Sequence, residues 1–231
     1  MERSIMERFF GLITGAVPLP MPQNNPIDTY KALIYHRYYE VITQTMPRFC
    51  AHIDADTLRE AIEKLIAQGV KSPYIWQLPE AFARYVIDET SWLQTRPFLA
   101  DMLWYETTQI ALWMGIDAKP PIEEFAWEKR YTLSSSARIA LLKHAVFEVE
   151  REEETGAFAL LLYYDFAEHE VQFMQITPFA YALLEELEGT LESALERVCA
   201  LYDVELEEAR PVITPLLAQW AHQGVLTPTQ S

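Results

Sequence analysis

The hydrophobic period of this chain changes once, and that change limits what it can fold into. Up to Gly115, apolar residues recur three and four positions apart, the spacing of one helix face. Asp117 to Glu124 (DAKPPIEE) carries two prolines, charges and no period. Beyond it come apolar runs of strand length separated by charged turns, and then helical spacing returns. A prolonged helical pattern followed by strands and helices predicts two units. The fold class is mainly α, with an N-terminal all-helical domain over 1–118 and a C-terminal α+β, winged-helix-like domain over 125–231. The second domain holds three strands and three helices.

In the first domain, Met1 to Thr14 reads as a helix with Ile5, Phe9, Leu12 and Ile13 on one face. Val17 to Pro26 carries four prolines and reads as an irregular tether. Asp28 is placed to cap a helix over Thr29 to Met46, which Pro47 stops or kinks. Asp54, with Asp56 as a competitor, caps Thr57 to Gln68, and Gly69 closes that helix. Pro79 suits the first turn of a helix over Glu80 to Glu89. Pro97 opens Phe98 to Met114, which is apolar nearly all round and so belongs at the centre of its domain.

In the second domain, Arg138 to Val149, Ala157 to Phe166 and Val171 to Ile176 read as strands joined by hairpins. Thr177-Pro178 then turns the chain directly into a helix running to Leu187. Two more helices follow, Thr190 to Tyr202 and Ala209 or Pro211 to Gln223, the last closed by Gly224. Val225 to Thr227 reads as a short extended piece.

The formal charge of −16 is uneven. Residues 1–120 carry 11 Lys/Arg against 14 Asp/Glu, whereas residues 121–231 carry 7 against 20. Nucleic-acid binding needs clustered positive charge to release counterions, so the second domain has the wrong sign. With 6 Trp, 12 Tyr and 11 Phe there is ample material for two cores. The start does not read as a signal peptide and no apolar run reaches membrane-spanning length, so a cytoplasmic protein is expected.

No catalytic constellation stands out, and the chain is expected not to be an enzyme. Cys50 and Cys199 are far apart and read as core residues. His36 and Glu40 share a helix face, but two ligands are not a metal site, and no metal or cofactor is expected. Ser134 to Ser136 lacks the Gly-x-Ser-x-Gly frame. Asp101 and Glu106 interrupt the central helix about 140° apart, so they do not form an acid–base pair. Each is either exposed or caps a neighbouring group, or else offers a polar contact to a partner. Arg37 sits among Tyr35, His36, Tyr38 and Tyr39, a composition that fits both an interface anchor and a core helix with a snorkelling arginine. A three-stranded sheet has edges, and an edge strand beside a helix can accept a peptide as an added strand.

Two further stretches bring a resemblance into view. Tyr74 to Tyr85 (YIWQLPEAFARY) is followed by Pro97 to Glu106 (PFLADMLWYE). Leu78, Pro79, Phe82 and Tyr85, then Pro97, Phe98, Leu99, Asp101, Tyr105, Glu106, Ala111 and Leu112, are similar to the N-terminal part of the HvfC/BufC-type family. That part has long been labelled a putative DNA-binding domain. Met46-Pro47 resembles the family's Phe-Pro, and the strand-to-helix corner at Val171 to Thr177 resembles the family's second domain. Three positions depart from the pattern: Gln109 stands for the family's second glutamate, Thr107 for a tryptophan and Thr177 for the corner asparagine.

The resemblance implies a companion protein in the maturation of ribosomally made peptides. Its expected partners are a precursor peptide and a TIM-barrel, multinuclear-iron enzyme that modifies it, the two proteins forming a heterodimer. The expected docking residues for the enzyme are Arg37, Tyr38, Asp101, Tyr105 and Glu106. The peptide is expected along Val171, Phe173, Met174, Ile176 and Thr177, walled by the last helix through Leu216 and Trp220. The alternative is a DNA-binding regulator. Its candidate recognition helices offer only Arg197 and Arg210 as cations.

Overall fold

The computed structural model describes residues 26–69, 74–115 and 124–229. The helix expected over Met1 to Thr14 and the proline tether lie mostly outside these residues. The chain divides into two compact units between Ile110 and Ala111, within the last turn of a helix.

The first unit is helical throughout its described residues. Its elements are α1 (Pro26–Thr45), α2 (Pro47–Ala51), α3 (Ala55–Gln68), α4 (Leu78–Glu89), α5 (Trp92–Thr95) and α6 (Phe98–Met114), with a 3-10 turn at Ile75–Gln77. The Asp54 carboxylate accepts the Thr57 N–H at 2.9 Å and so caps α3. Gly69, with φ 75°, closes it. α1 begins at Pro26, so Asp28 sits in its first turn and not at its cap. Pro47 does more than stop α1: it is the first residue of α2, where a missing N–H costs nothing. Phe49, Phe82, Met46, Ile62, Leu99 and Met102 are fully buried and form the centre of this unit. The ring of Phe49 meets that of Phe82 edge-on at 6.3 Å.

The second unit contains β1 (Tyr131–Leu133), β2 (Ala137–His144), β3 (Thr155–Asp165), β4 (Glu170–Gln175), α7 (Pro178–Glu185), α8 (Leu191–Tyr202), α9 (Leu206–Gln223) and β5 (Leu226–Pro228). β2, β3 and β4 form an antiparallel sheet with β3 in the middle. The continuous apolar run of β3 suits a strand buried on both faces, and residues 159–163 are all buried. Ala159, Leu161 and Tyr163 point into the core that also holds Ala180, Leu183, Leu195, Val198, Leu217 and Trp220. α7 packs against β2 and β3, while α9 packs against α8 and β5.

β5 falls on the extended piece expected at Val225 to Thr227, whereas β1 and an earlier start of the last helix go beyond what was expected. β1 pairs with β5 antiparallel, Tyr131 opposite Pro228 and Leu133 opposite Leu226. α9 begins at Leu206, a turn before the prolines, so Pro211 and Pro215 both lie inside it.

Candidate functional site

The candidate site is the junction where β4 ends and α7 begins. The Ile176 N–H donates to the Ala159 carbonyl at 2.9 Å. Antiparallel pairing alternates, so Gln172 and Met174 also direct their backbone groups at β3. The backbone groups of Val171 and Gln175 therefore point away from β3. The same reasoning applies across the sheet. The Tyr164 N–H donates to the Ser136 carbonyl at 2.9 Å, so Arg138, Ala140 and Leu142 face β3 and Ile139 and Leu141 face outward. Among the described residues, β2 and β4 are each paired on one side only.

Thr177 then ends the extended run. Its hydroxyl accepts the Ala180 N–H at 3.1 Å, and Pro178 fills the first helical position. Asparagine at this place would cap in the same way.

The side chains at the corner divide between two faces. Met174 leans half-buried on the helical core. Val171 and Phe173 point to the opposite face, where the Phe147 ring lies 6.1 Å from that of Phe173. Phe173 is 47% exposed. Two expected groove residues are corrected by burial. Ile176 is buried under the sheet, and Trp220 is fully buried in the core, so neither is presented to a peptide. Leu216 is half-buried against the same core. The helix that lies along the sheet is α7, which follows the corner, and not α9 as expected.

The first unit does not bring its five expected docking residues onto one surface. Arg37 is exposed and ion-paired with Glu40 at 3.4 Å. Tyr38 and Asp101 are half-buried. Burial raises the pKa of the Tyr38 hydroxyl. Tyr105 and Glu106 are buried, which corrects their assignment to a partner surface. Glu106 Oε1 accepts the N–H of Arg48 at 3.1 Å and Oε2 accepts that of Phe49 at 3.0 Å. These are the second and third residues of α2, the N–H groups that a cap must satisfy. The residue at the capping position is Met46, which has no acceptor for them. Glu106 thus caps α2 from another helix. Beside it, burial first and Glu106 second push the Cys50 thiol up to about 12.

Electrostatics bear on the choice between ligands. Arg197 donates to the carbonyls of Glu186 and Glu188 at 2.7 and 2.6 Å. Arg210 is paired with Glu192 at 2.9 Å and lies over the Trp127 ring at 5.0 Å. The two cations available to a DNA-reading helix are both engaged within the unit. Among the described residues, no three His, Cys, Asp or Glu side chains gather as metal ligands. No helix among them is long and apolar enough to cross a membrane.

Residues 136–221 match the family model described as the HvfC C-terminal domain. That region is similar to the HvfC C-terminal domain. The matched region runs from the turn before β2 into α9, so it contains the three-stranded sheet, the Thr177 corner and the three helices. The HvfC C-terminal domain match does not include β1 or β5. No curated protein matches the chain.

Proposed function

We propose that this protein is a non-catalytic adaptor that captures a precursor peptide and presents it to a partner enzyme. The observation that carries the reading is an edge strand, β4, whose outward backbone groups run up to a capped corner inside the region similar to the HvfC C-terminal domain. An extended peptide added there gains main-chain hydrogen bonds from Val171 and Gln175. Alternate side chains then select its sequence through contacts on either face. The partner is a TIM-barrel, multinuclear-iron enzyme of ribosomal peptide maturation, held as a heterodimer in the cytoplasm. The adaptor acts by raising the local concentration of peptide at that enzyme. The acidity of the second half and the engaged arginines weigh against a DNA-binding role.

The test uses proline, which removes a backbone donor. At an outward-facing edge position it leaves the internal ladder intact. The full chain is titrated with the synthetic precursor peptide encoded beside its gene and, separately, with duplex DNA at low salt. Gln175→Pro in β4 is expected to weaken peptide binding by about tenfold or more, equivalent to about 1.4 kcal/mol. Leu141→Pro in β2 is expected to leave it unchanged. Tight, salt-sensitive DNA binding without peptide binding would overturn the adaptor reading.

A further inference from the structure

The apolar stripe of α8 outruns the core it serves. Leu191, Ala194, Leu195 and Val198 are buried and lie at helical spacing. Leu201 and Tyr202 continue that stripe by one turn, at three and four residues beyond Val198, yet Leu201 is 72% and Tyr202 40% exposed. Val204 follows at 38% exposed. This end of the helix is held in place. Asp203 takes the left-handed conformation at φ 54°, and the Val204 N–H donates back to the Cys199 carbonyl at 3.0 Å. The Tyr202 ring is also set, meeting Phe179 at 5.5 Å with the planes 65° apart. A fixed group of exposed apolar side chains is the kind of surface a partner can cover.

Its surroundings state the chemistry of what covers it. Asp203, Glu205, Glu207 and Glu208 follow in the turn and the first turn of α9, and the sequence has no Lys or Arg from Val198 to Ala209. Among the described residues none of these four acids is ion-paired. The nearest arginines in sequence, Arg197 and Arg210, are already engaged elsewhere. An acidic border around apolar side chains fits an apolar residue flanked by Lys or Arg.

The patch is also within reach of the β4 edge. Phe179 is four residues beyond Gln175, so their Cα atoms lie within about 14 Å, a gap that about four extended residues cross. We infer that Phe179, Leu201, Tyr202 and Val204 bind a second stretch of the same peptide, an apolar residue with basic neighbours lying beyond the segment paired with β4. This inference rests on the adaptor reading above. The edge then supplies affinity through the backbone, and the patch supplies selection through one side chain and its charge.

The experiment compares two probes on the full chain. One is the synthetic precursor peptide encoded beside the gene. The other is that peptide with its Lys and Arg residues replaced by Gln. Tyr202→Ser is expected to weaken the native peptide by about tenfold. The Gln-substituted peptide is expected to bind the unaltered protein more weakly than the native one and to lose most of its salt dependence. Leu201→Ser, at the most exposed of these positions, repeats the test without disturbing the Phe179–Tyr202 ring contact. If Gln175→Pro weakens binding while both serine variants leave it unchanged, the patch is not part of the site and the edge reading stands. If the unaltered protein binds neither peptide, both readings fall.

Discussion

The two units treat the interruptions of their apolar pattern in opposite ways. In the helical unit the polar break on α6 turns inward: Glu106 is 5% exposed and spends both oxygens on the start of α2. In the α+β unit the breaks lie at the margins. Phe173 on the edge strand β4 and Leu201 and Tyr202 at the end of α8 carry apolar side chains outward, and the local cap at Thr177 is satisfied within three residues. A polar residue on an apolar helix is therefore not by itself a sign of a partner. The more informative sign is an apolar residue that remains exposed where the pattern says it should be covered.

The largest test of this contrast falls on Trp220. Trp220→Ala is expected to lower stability by about 3–5 kcal/mol, measured by urea unfolding, as truncation of a fully buried aromatic does. A loss below about 1 kcal/mol, accompanied by weaker peptide binding, would return Trp220 to the groove. Next comes Glu106. Glu106→Ala orphans two backbone N–H groups at a buried site, and a loss of about 3 kcal/mol is expected. Glu106→Gln keeps one acceptor oxygen and should retain part of that. A near-neutral result for both would erase the difference between the units. Thr177→Ala removes a local cap and is expected to cost about 1 kcal/mol.

The smallest effect is a pH dependence at Asp54. Its hydrogen bonds to Thr57 lower its pKa below the usual aspartate value. A depressed folded pKa means that the stabilisation is present above the unfolded value and is lost as pH falls through the folded one. Acid titration of the unfolding midpoint should show this slope. Asp54→Ser, which caps without titrating, should remove its share of the slope.

What could be read from the sequence was local. Asp54, Thr177 and Thr190 each accept an N–H three residues on, so the cap and the helix it starts lie in one short window. Gly69 and Gly224, at φ 75° and 79°, mark helix ends for the same reason. The apolar run of β3 and the charged turns on either side of it gave the strands. What could not be read depends on partners far away in the chain. Glu106 acts on residues 57 and 58 positions earlier. Trp220 and Leu216 both follow the helical period, and only the packing of α8 on α9 decides which is wholly enclosed. Pro47 was ambiguous for a different reason: a proline that ends one helix and a proline that begins the next look alike. Pro211 misled in the same way, since its preference for a first turn hid the earlier start of α9 at Leu206.

The pairing of β1 with β5 has a consequence in time. Thr132 and Thr227 face each other across 95 positions, and the Ser134 N–H waits for the carbonyl of Val225. As the chain is synthesised, the first strand of the second unit is complete long before its partner exists. At about 5–20 residues per second the delay is on the order of 5–20 seconds. β2, β3 and β4 can join by hairpins as they emerge, but β1 must stay unpaired until nearly the last residue of the unit is made. The second unit therefore seals only once Leu226 to Pro228 have been made. A ribosome that stalls before Leu226 would carry an otherwise assembled sheet with one strand still waiting.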